Sequence, residues 1–172
     1  NQIAPGTRVE IDIKCDEQQG KFYMDVKVPV KVCQTSRTGK RDPRTCRTQM
    51  KYFANPYDGD GDNRVLRDEP TRWLTSPGLY PDNRTDAQPD GLPKRTVGGR
   101  AGVSEYHVVS EKQEWAYAQM LYALWIKGGY AVHGSNSVDG YPGSGGCIRL
   151  EQLNAFALYN LARRVGPNNL AY

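Results

Sequence analysis

The chain has 172 residues, enough for one hydrophobic core, and we expect residues 1–172 to form a single domain. Its 18 glycines and 11 prolines indicate many turns and favour a mainly β fold over a helical bundle. The formal charge of +4 is modest, and no apolar run approaches the roughly 20 residues that a membrane-spanning helix needs. We therefore expect no membrane span, and a chain that is either soluble or the mature form of an exported protein.

The first segment predicts a β-hairpin with its turn at residues 16–20. In the first strand Cys15 shares the apolar face of Val9, Ile11 and Ile13, which predicts a buried thiol. In the second strand Cys33 points away from the apolar face, so it is free to reach Cys46 across a short loop. If the protein is exported, we expect a Cys33–Cys46 disulfide. Pro29 indicates that the second strand is an edge or is bulged.

Turn residues dominate from residue 34 to about residue 102, a length that is uncommon unless the stretch carries a function. Residues 77–102 are either a lid over a substrate or a surface loop. The basic cluster at residues 36–47, "SRTGKRDPRTCR", lacks the aromatic side chains of a nucleic-acid stacking platform. We expect no nucleic-acid partner there, but a solvated loop or attraction to an anionic polymer.

An acidic stretch, "DGDGDNRVLRDE", has the spacing of oxygen ligands in a calcium loop, with Asp58, Asp60, Asp62 and Glu69 as candidate ligands. A proline follows at once where a helix should continue, which argues against a calcium site. The alternatives are a structural calcium ion and an acidic solvated turn. We expect no cofactor to be required for activity.

Three further elements are predicted in the C-terminal part of the chain, besides a short strand candidate at residues 105–109. A capping pattern, Ser110 followed by Gln113, precedes a predicted helix that ends near Gly128. Residues 129–134 then predict a short buried strand that ends at a histidine. A second helix follows Cys147, with one apolar face formed by Leu153, Phe156, Ala157 and Leu161. The fold is therefore mainly β with one or two peripheral helices.

One histidine and one cysteine are placed for nucleophilic chemistry. A thiol attacks an acyl carbon only as a thiolate, and a free cysteine with a pKa of about 8.5 is mostly protonated at neutral pH, so it needs a base. His133 ends an apolar strand, and about a dozen residues lead from it to Cys147. Gly145 and Gly146 allow a sharp bend that aims backbone N–H groups at an oxyanion. Without these neighbours, Cys147 would more often be an inert core thiol.

The stretch "GGYAVHGSNSVDGYPGSGGCIRL" resembles the active-site signature of the L,D-transpeptidase (YkuD-like) family. In that family a strand ends in His-Gly, and a glycine-rich stretch leads to a Ser-His-Gly-Cys-[Val/Ile]-Arg block that carries the nucleophile. Weaker similarity covers the opening hairpin and "WLTSPGLYP". The resemblance implies a sandwich- or barrel-like β fold and a periplasmic or secreted enzyme that acts on peptidoglycan stem peptides.

The implied reaction is attack on the stem tetrapeptide with release of its terminal D-alanine. An amine then resolves the acyl-enzyme as a cross-link, or water resolves it as carboxypeptidase action. The implied catalytic residues are Cys147 as nucleophile, His133 as base and Gly134, whose carbonyl orients the imidazole. The substrate-binding candidates are Arg149, Ser144, Gly146 and Tyr130, of which Arg149 offers a planar fork to a carboxylate.

The block departs from the family at one position, where Gly145 stands in place of the usual histidine. The family's principal base lies elsewhere, so the chemistry survives the change, but a hydrogen-bond donor beside the thiolate is lost. Two alternatives therefore stay open: a secreted antibacterial effector of the same superfamily that targets peptidoglycan, and a catalytically silent wall-binding module.

Overall fold

The computed structural model describes residues 3–57, 65–77, 100–101, 121–127, 130–142 and 147–172. In these residues the chain forms ten strands: β1 (Val9–Asp16), β2 (Lys21–Val32), β3 (Arg47–Phe53), β4 (Leu66–Arg67), β5 (Trp73–Ser76), β6 (Arg100–Ala101), β7 (Leu121–Lys127), β8 (Tyr130–Ser135), β9 (Ile148–Glu151) and β10 (Leu170–Ala171). One α-helix, α1 (Gln152–Val165), and two short 3-10 helices at Pro43–Thr45 and Pro167–Asn169 complete the described elements. The predicted mainly β fold with a peripheral helix is confirmed.

The strands form one sheet in the order β10-β1-β2-β5-β9-β8-β7-β6, with β3 attached to β2 and β4 attached to β3. β8 pairs in parallel with β9, and β10 in parallel with β1, whereas the other pairs are antiparallel. The four-residue β5 joins the N-terminal strands to the strands that precede and follow the predicted active-site loop. Its position makes β5 a support for that loop.

The opening hairpin is confirmed, because β1 pairs with β2 from Glu10 opposite Lys27 to Asp16 opposite Lys21. The β1 ladder ends at Lys27, and beyond it Pro29 pairs only with Met50 of β3 among the described strands. Proline cannot donate a ladder hydrogen bond, so it fits a strand section with one open edge. The prediction that the second strand is an edge was wrong for β2 as a whole, which lies between β1 and β5, although its last section has a single described neighbour.

The core lies between the sheet and α1. Helix α1 buries Ala155, Ala157, Leu158, Leu161, Ala162 and Val165 against strand residues that include Val132, Ile148 and Leu150. Leu153, predicted to share this face, is 55% exposed. At 100° per residue it lies about 140° around the helix from Leu158, the centre of the buried stripe, so the prediction was wrong for this residue.

The predicted helix that ends near Gly128 was wrong over residues 121–127, which form β7. Residues 110–120 of that helix, like the strand candidate at 105–109, lie outside the described residues. Residues 121–127 form a strand because they pair with β8, where Leu124 lies opposite Val132 and Lys127 lies opposite Tyr130. A neighbouring strand that offers a hydrogen-bonded ladder and a buried face outweighs helix propensity.

The cysteines divide into one disulfide and two free thiols. The expected Cys33–Cys46 disulfide is present. Cys15 is exposed, in contrast to its predicted burial. It lies next to the last residue of β1, beside the hairpin turn, where the core formed by Val9 and Ile11 no longer covers the strand. Within the described part of the chain, no helix is long and apolar enough to cross a membrane.

Candidate active site

The register of the parallel β8–β9 pair places the candidate site on one face of the sheet. Val132 pairs with Ile148, and His133 pairs with Arg149. Neighbours in register point to the same face, and side chains alternate along a strand. Val132 and Ile148 enter the core under α1, so His133 and Arg149 point to the opposite face. Cys147 lies two residues before Arg149, so its side chain points to the same face as those of His133 and Arg149.

His133 is held in one tautomer. Its side chain is 8% exposed, and its Nδ1 lies 2.9 Å from the carbonyl oxygen of Gly134. A carbonyl only accepts, so Nδ1 carries the proton and Nε2 is left with a lone pair. Burial lowers the pKa of His133 below its usual value of about 6.5, the Gly134 carbonyl opposes this, and the Arg149 charge adds to the lowering. The imidazole is therefore neutral at pH 7 and able to accept a proton.

Cys147 is half-buried and packs against Ala123 of β7 and Ala131 of β8. Burial raises the pKa of its thiol, and a hydrogen bond with the backbone of Ala131 opposes that rise. Cys147 is thus a protonated thiol in the resting structure, on the same face of the sheet as a neutral imidazole.

Arg149 is held between two other elements. Its Nη1 donates to the carbonyl of Ser137 at 2.8 Å, and its own carbonyl accepts from the Thr75 hydroxyl at 2.8 Å. Its Nε is buried and has no hydrogen-bond partner among the described residues. A buried guanidinium N–H without a partner costs free energy.

The loop that follows His133 is tied to β5 through one buried hydroxyl. Ser76 Oγ accepts from the backbone N–H groups of Asp139 and Gly140, each at 3.2 Å, and donates to Asp139 Oδ1 at 3.0 Å. Asp139 also accepts from the backbone N–H of Tyr141 at 2.9 Å, which with the Ser76 bond holds the pKa of its carboxyl below the usual range. Neither Ser76 nor Asp139 was predicted as a site residue from the sequence. The Asp-Gly turn dipeptide was the available signal.

Two glycines allow close approach at the site. A side chain on Gly134 would place its Cβ 3.3 Å from Ala155 Cβ, Gln152 Cα and Leu121 Cβ. Gly140 has a φ of +86°, and a Cβ there would lie 2.9 Å from Leu74 and Lys21. A Cβ at Gly134 would require its neighbours to shift, and at Gly140 both the positive φ and the close contacts disfavour a side chain, so α1 and the hairpin lie directly against the backbone around the site.

The other predicted site residues are placed only in part. Ser144, Gly145 and Gly146 lie outside the described residues, as does the side chain of Tyr130. Most of the candidate lid at residues 77–102 also falls outside the described ranges.

The calcium site stays a prediction. Asp58, Asp60 and Asp62 lie outside the described residues, and Glu69 is exposed. The described part of the chain contains no cluster of three acidic, histidine or cysteine side chains suited to a metal.

A thiol and a neutral imidazole thus lie on one face of adjacent strands. Comparison with known families gives the class of protein. The L,D-transpeptidase catalytic domain (YkuD) matches residues 17–167, and the chain belongs to this family.

Comparison with individual proteins adds one solved structure. The chain is similar to a crystal structure of the L,D-transpeptidase from Xylanimonas cellulosilytica, with 21% identity and a TM-score of 0.34. The similarity covers 93% of this chain and 56% of that chain. No curated protein matches the chain.

Proposed function

We propose that the chain is an exported cysteine enzyme that transfers acyl groups from peptidoglycan stem peptides, with Cys147 as nucleophile and His133 as base. The observation that carries the proposal is the hydrogen bond between His133 Nδ1 and the Gly134 carbonyl. It leaves the lone pair of Nε2 on the face of the sheet that also presents Cys147. A base needs this tautomer in order to take the thiol proton.

In the first step a bond forms between Cys147 Sγ and the carbonyl carbon that precedes the terminal D-alanine. The thiol proton moves to His133 Nε2 and from there to the leaving amine as the C–N bond breaks. The product is a thioester with the shortened stem. In the second step an amine of a neighbouring stem, or water, adds to the thioester carbonyl and gives its proton to His133. The C–S bond then breaks, and His133 returns the proton to the sulfur, which regenerates the thiol.

Both pKa shifts favour a neutral resting pair, because burial raises the pKa of Cys147 and lowers that of His133. A preformed thiolate–imidazolium pair is thus disfavoured until substrate arrives. Proton transfer then accompanies attack, and the guanidinium of Arg149 supplies a positive charge for a substrate carboxylate. The family and the disulfide both support a location outside the cytoplasm, in the periplasm or secreted.

The test uses both free cysteines. Purified muropeptides with tetrapeptide stems are incubated with the unaltered chain, with Cys147→Ala and with Cys15→Ala, and the products are measured by mass spectrometry. Cys15 is the matched control, because it is the other free thiol and is exposed on β1. We expect loss of D-alanine with the unaltered chain and Cys15→Ala, and none with Cys147→Ala.

Release of D-alanine by Cys147→Ala would refute the nucleophile assignment. Intact muropeptides in all three samples would refute the enzyme and favour the silent wall-binding module. A cross-linked dimer among the products identifies the amine as the acceptor, whereas a shortened monomer alone identifies water.

A further inference from the structure

The net charge of the protein is concentrated in one loop. Residues 34–47 contain five cationic side chains and one acidic side chain, for a net charge of +4, which equals the charge of the whole chain. The cationic residues of this loop are Arg37, Lys40, Arg41, Arg44 and Arg47. The formal charges of the remaining residues therefore sum to zero, whereas this loop carries a net positive charge.

The loop has a defined conformation. The Cys33–Cys46 disulfide closes it at its base, and Thr35 pairs with Arg41 across it. A turn at its tip is held by a hydrogen bond from the N–H of Ser36 to the carbonyl of Lys40 at 2.8 Å. A ligand that binds this loop therefore orders fewer backbone dihedrals than it would in an open chain.

Four of its five cations have no acidic partner among the described residues. Arg44 pairs with Asp42 at 3.3 Å, and Arg41 lies 3.2 Å from the sulfur of Cys33. Arg37, Lys40 and Arg47 are exposed and form no ion pair with the residues that the structure describes. These three side chains are available to an external anion.

The side chains of the loop indicate which class of anionic polymer it could bind. Between residues 34 and 47 there is no aromatic side chain on which a nucleobase could stack. There is also no leucine, isoleucine, valine, phenylalanine or tryptophan that could insert into a lipid surface. Arginine and lysine alone suit a polymer that carries repeated carboxylates, which the arginine fork can hold in a bidentate geometry.

The loop is too far from Cys147 to bind the stem that reacts there. β2 has 12 residues, so its two ends are about 36 Å apart. The N–H of Phe22, at the first end, donates to Gly140 of the active-site loop at 2.8 Å, whereas the cationic loop follows Val32 at the other end. A tetrapeptide stem extends over at most about 14 Å. An anion at the loop must belong to a different part of the substrate polymer.

We propose that this disulfide-closed loop is an anchor that binds carboxylates of stem peptides remote from the stem under reaction, and so holds the enzyme on polymeric peptidoglycan. The proposal rests on the proposed function, from which it takes the identity of the polymer. It assigns the loop a role in processing the polymer and none in the chemical step.

The experiment measures sedimentation with insoluble peptidoglycan from which covalently attached phosphate polymers have been removed. All binding samples carry Cys147→Ala, so that turnover does not alter the polymer. The loop variant combines Arg37→Ala, Lys40→Ala and Arg47→Ala. The control variant combines Arg8→Ala, Lys14→Ala and Arg163→Ala, which removes the same charge from exposed positions outside the loop. Circular dichroism verifies that both variants are folded.

We expect roughly tenfold weaker binding for the loop variant and little change for the control. Salt at about 1 M, where the Debye length is about 3 Å, should release the protein that carries the intact loop. With the thiol restored, the loop variant should release D-alanine from soluble muropeptides at the unaltered rate and from the insoluble polymer more slowly.

Equal binding by the two variants would overturn the proposal. So would binding that appears only on peptidoglycan that retains its phosphate polymers, or stronger binding to anionic vesicles or DNA than to the stripped polymer. If soluble muropeptides are never processed, the proposed function fails, yet loop-dependent binding to the stripped polymer would still establish the anchor.

Discussion

Removal of the Ser76 hydroxyl should cost several times more stability than removal of the hydroxyl beside it. Thr75 and Ser76 are both fully buried, and both belong to β5. Among the described residues, the Thr75 hydroxyl makes one hydrogen bond, to the carbonyl of Arg149 at 2.8 Å. With the described residues the Ser76 hydroxyl makes three, of 3.0, 3.2 and 3.2 Å, to the carboxylate of Asp139 and the N–H groups of Asp139 and Gly140.

At about 1 kcal/mol for each hydrogen bond, Thr75→Val should lower the free energy of unfolding by about 1 kcal/mol and Ser76→Ala by about 3 kcal/mol. With a urea m-value of about 2 kcal/mol per molar, the unfolding midpoint should fall by about 0.5 M and about 1.5 M. Equilibrium urea unfolding followed by circular dichroism measures both shifts. If the midpoint of Ser76→Ala is no lower than that of Thr75→Val, the hydroxyl does not hold the loop as described.

Three other perturbations test the site and the fold. Gly134→Ala should destabilise the protein by about 1–3 kcal/mol, because the added Cβ would lie 3.3 Å from atoms of α1 and β7. It should also slow turnover by displacing the carbonyl that orients His133. Urea unfolding measures the first effect and D-alanine release the second, and an unchanged unfolding midpoint would contradict the close packing. The acid limb of the pH profile of kcat/KM should have its midpoint below about pH 6.5. Burial lowers the pKa of His133, so the base stays neutral until the pH falls through that lowered value. An acid midpoint above about pH 6.5 argues against a buried His133 as base. Replacing both Cys33 and Cys46 by serine should lower the free energy of unfolding by about 3 kcal/mol, because the disulfide joins residues 13 apart in sequence. Thermal unfolding of the variant should therefore match that of the reduced protein. Equal stability of the variant and the oxidised protein would contradict this.

The sequence predicted those parts of the fold whose signal is local. Alternation in β1 and β2, the strand that ends at His133 and the helix after Cys147 are all visible as periodic apolar patterns. The hydrogen bond of His133 to Gly134 also joins adjacent residues, so a motif can encode it.

The features that the sequence did not reveal depend on distant partners. β3 alternates weakly and is a strand because β2 pairs with it. β7 has the composition of a helix but takes its conformation from β8. The hydrogen bond between Ser76 and Asp139 joins residues that are 63 apart in the sequence, and no local pattern around either residue predicts it. Contacts of this kind follow from topology, which local propensity does not specify.

The pairing of β10 with β1 links the two extremes of the described chain, because Val9 lies opposite Leu170. During synthesis β1 can pair with β2 early, but its second edge has no partner among the described strands until about 160 residues later. A ribosome-bound intermediate therefore exposes an unpaired edge of β1 while the residues between β1 and β10 are synthesised. Contacts so distant in sequence also slow folding, which lengthens the period in which that edge is open to chaperones or to other chains.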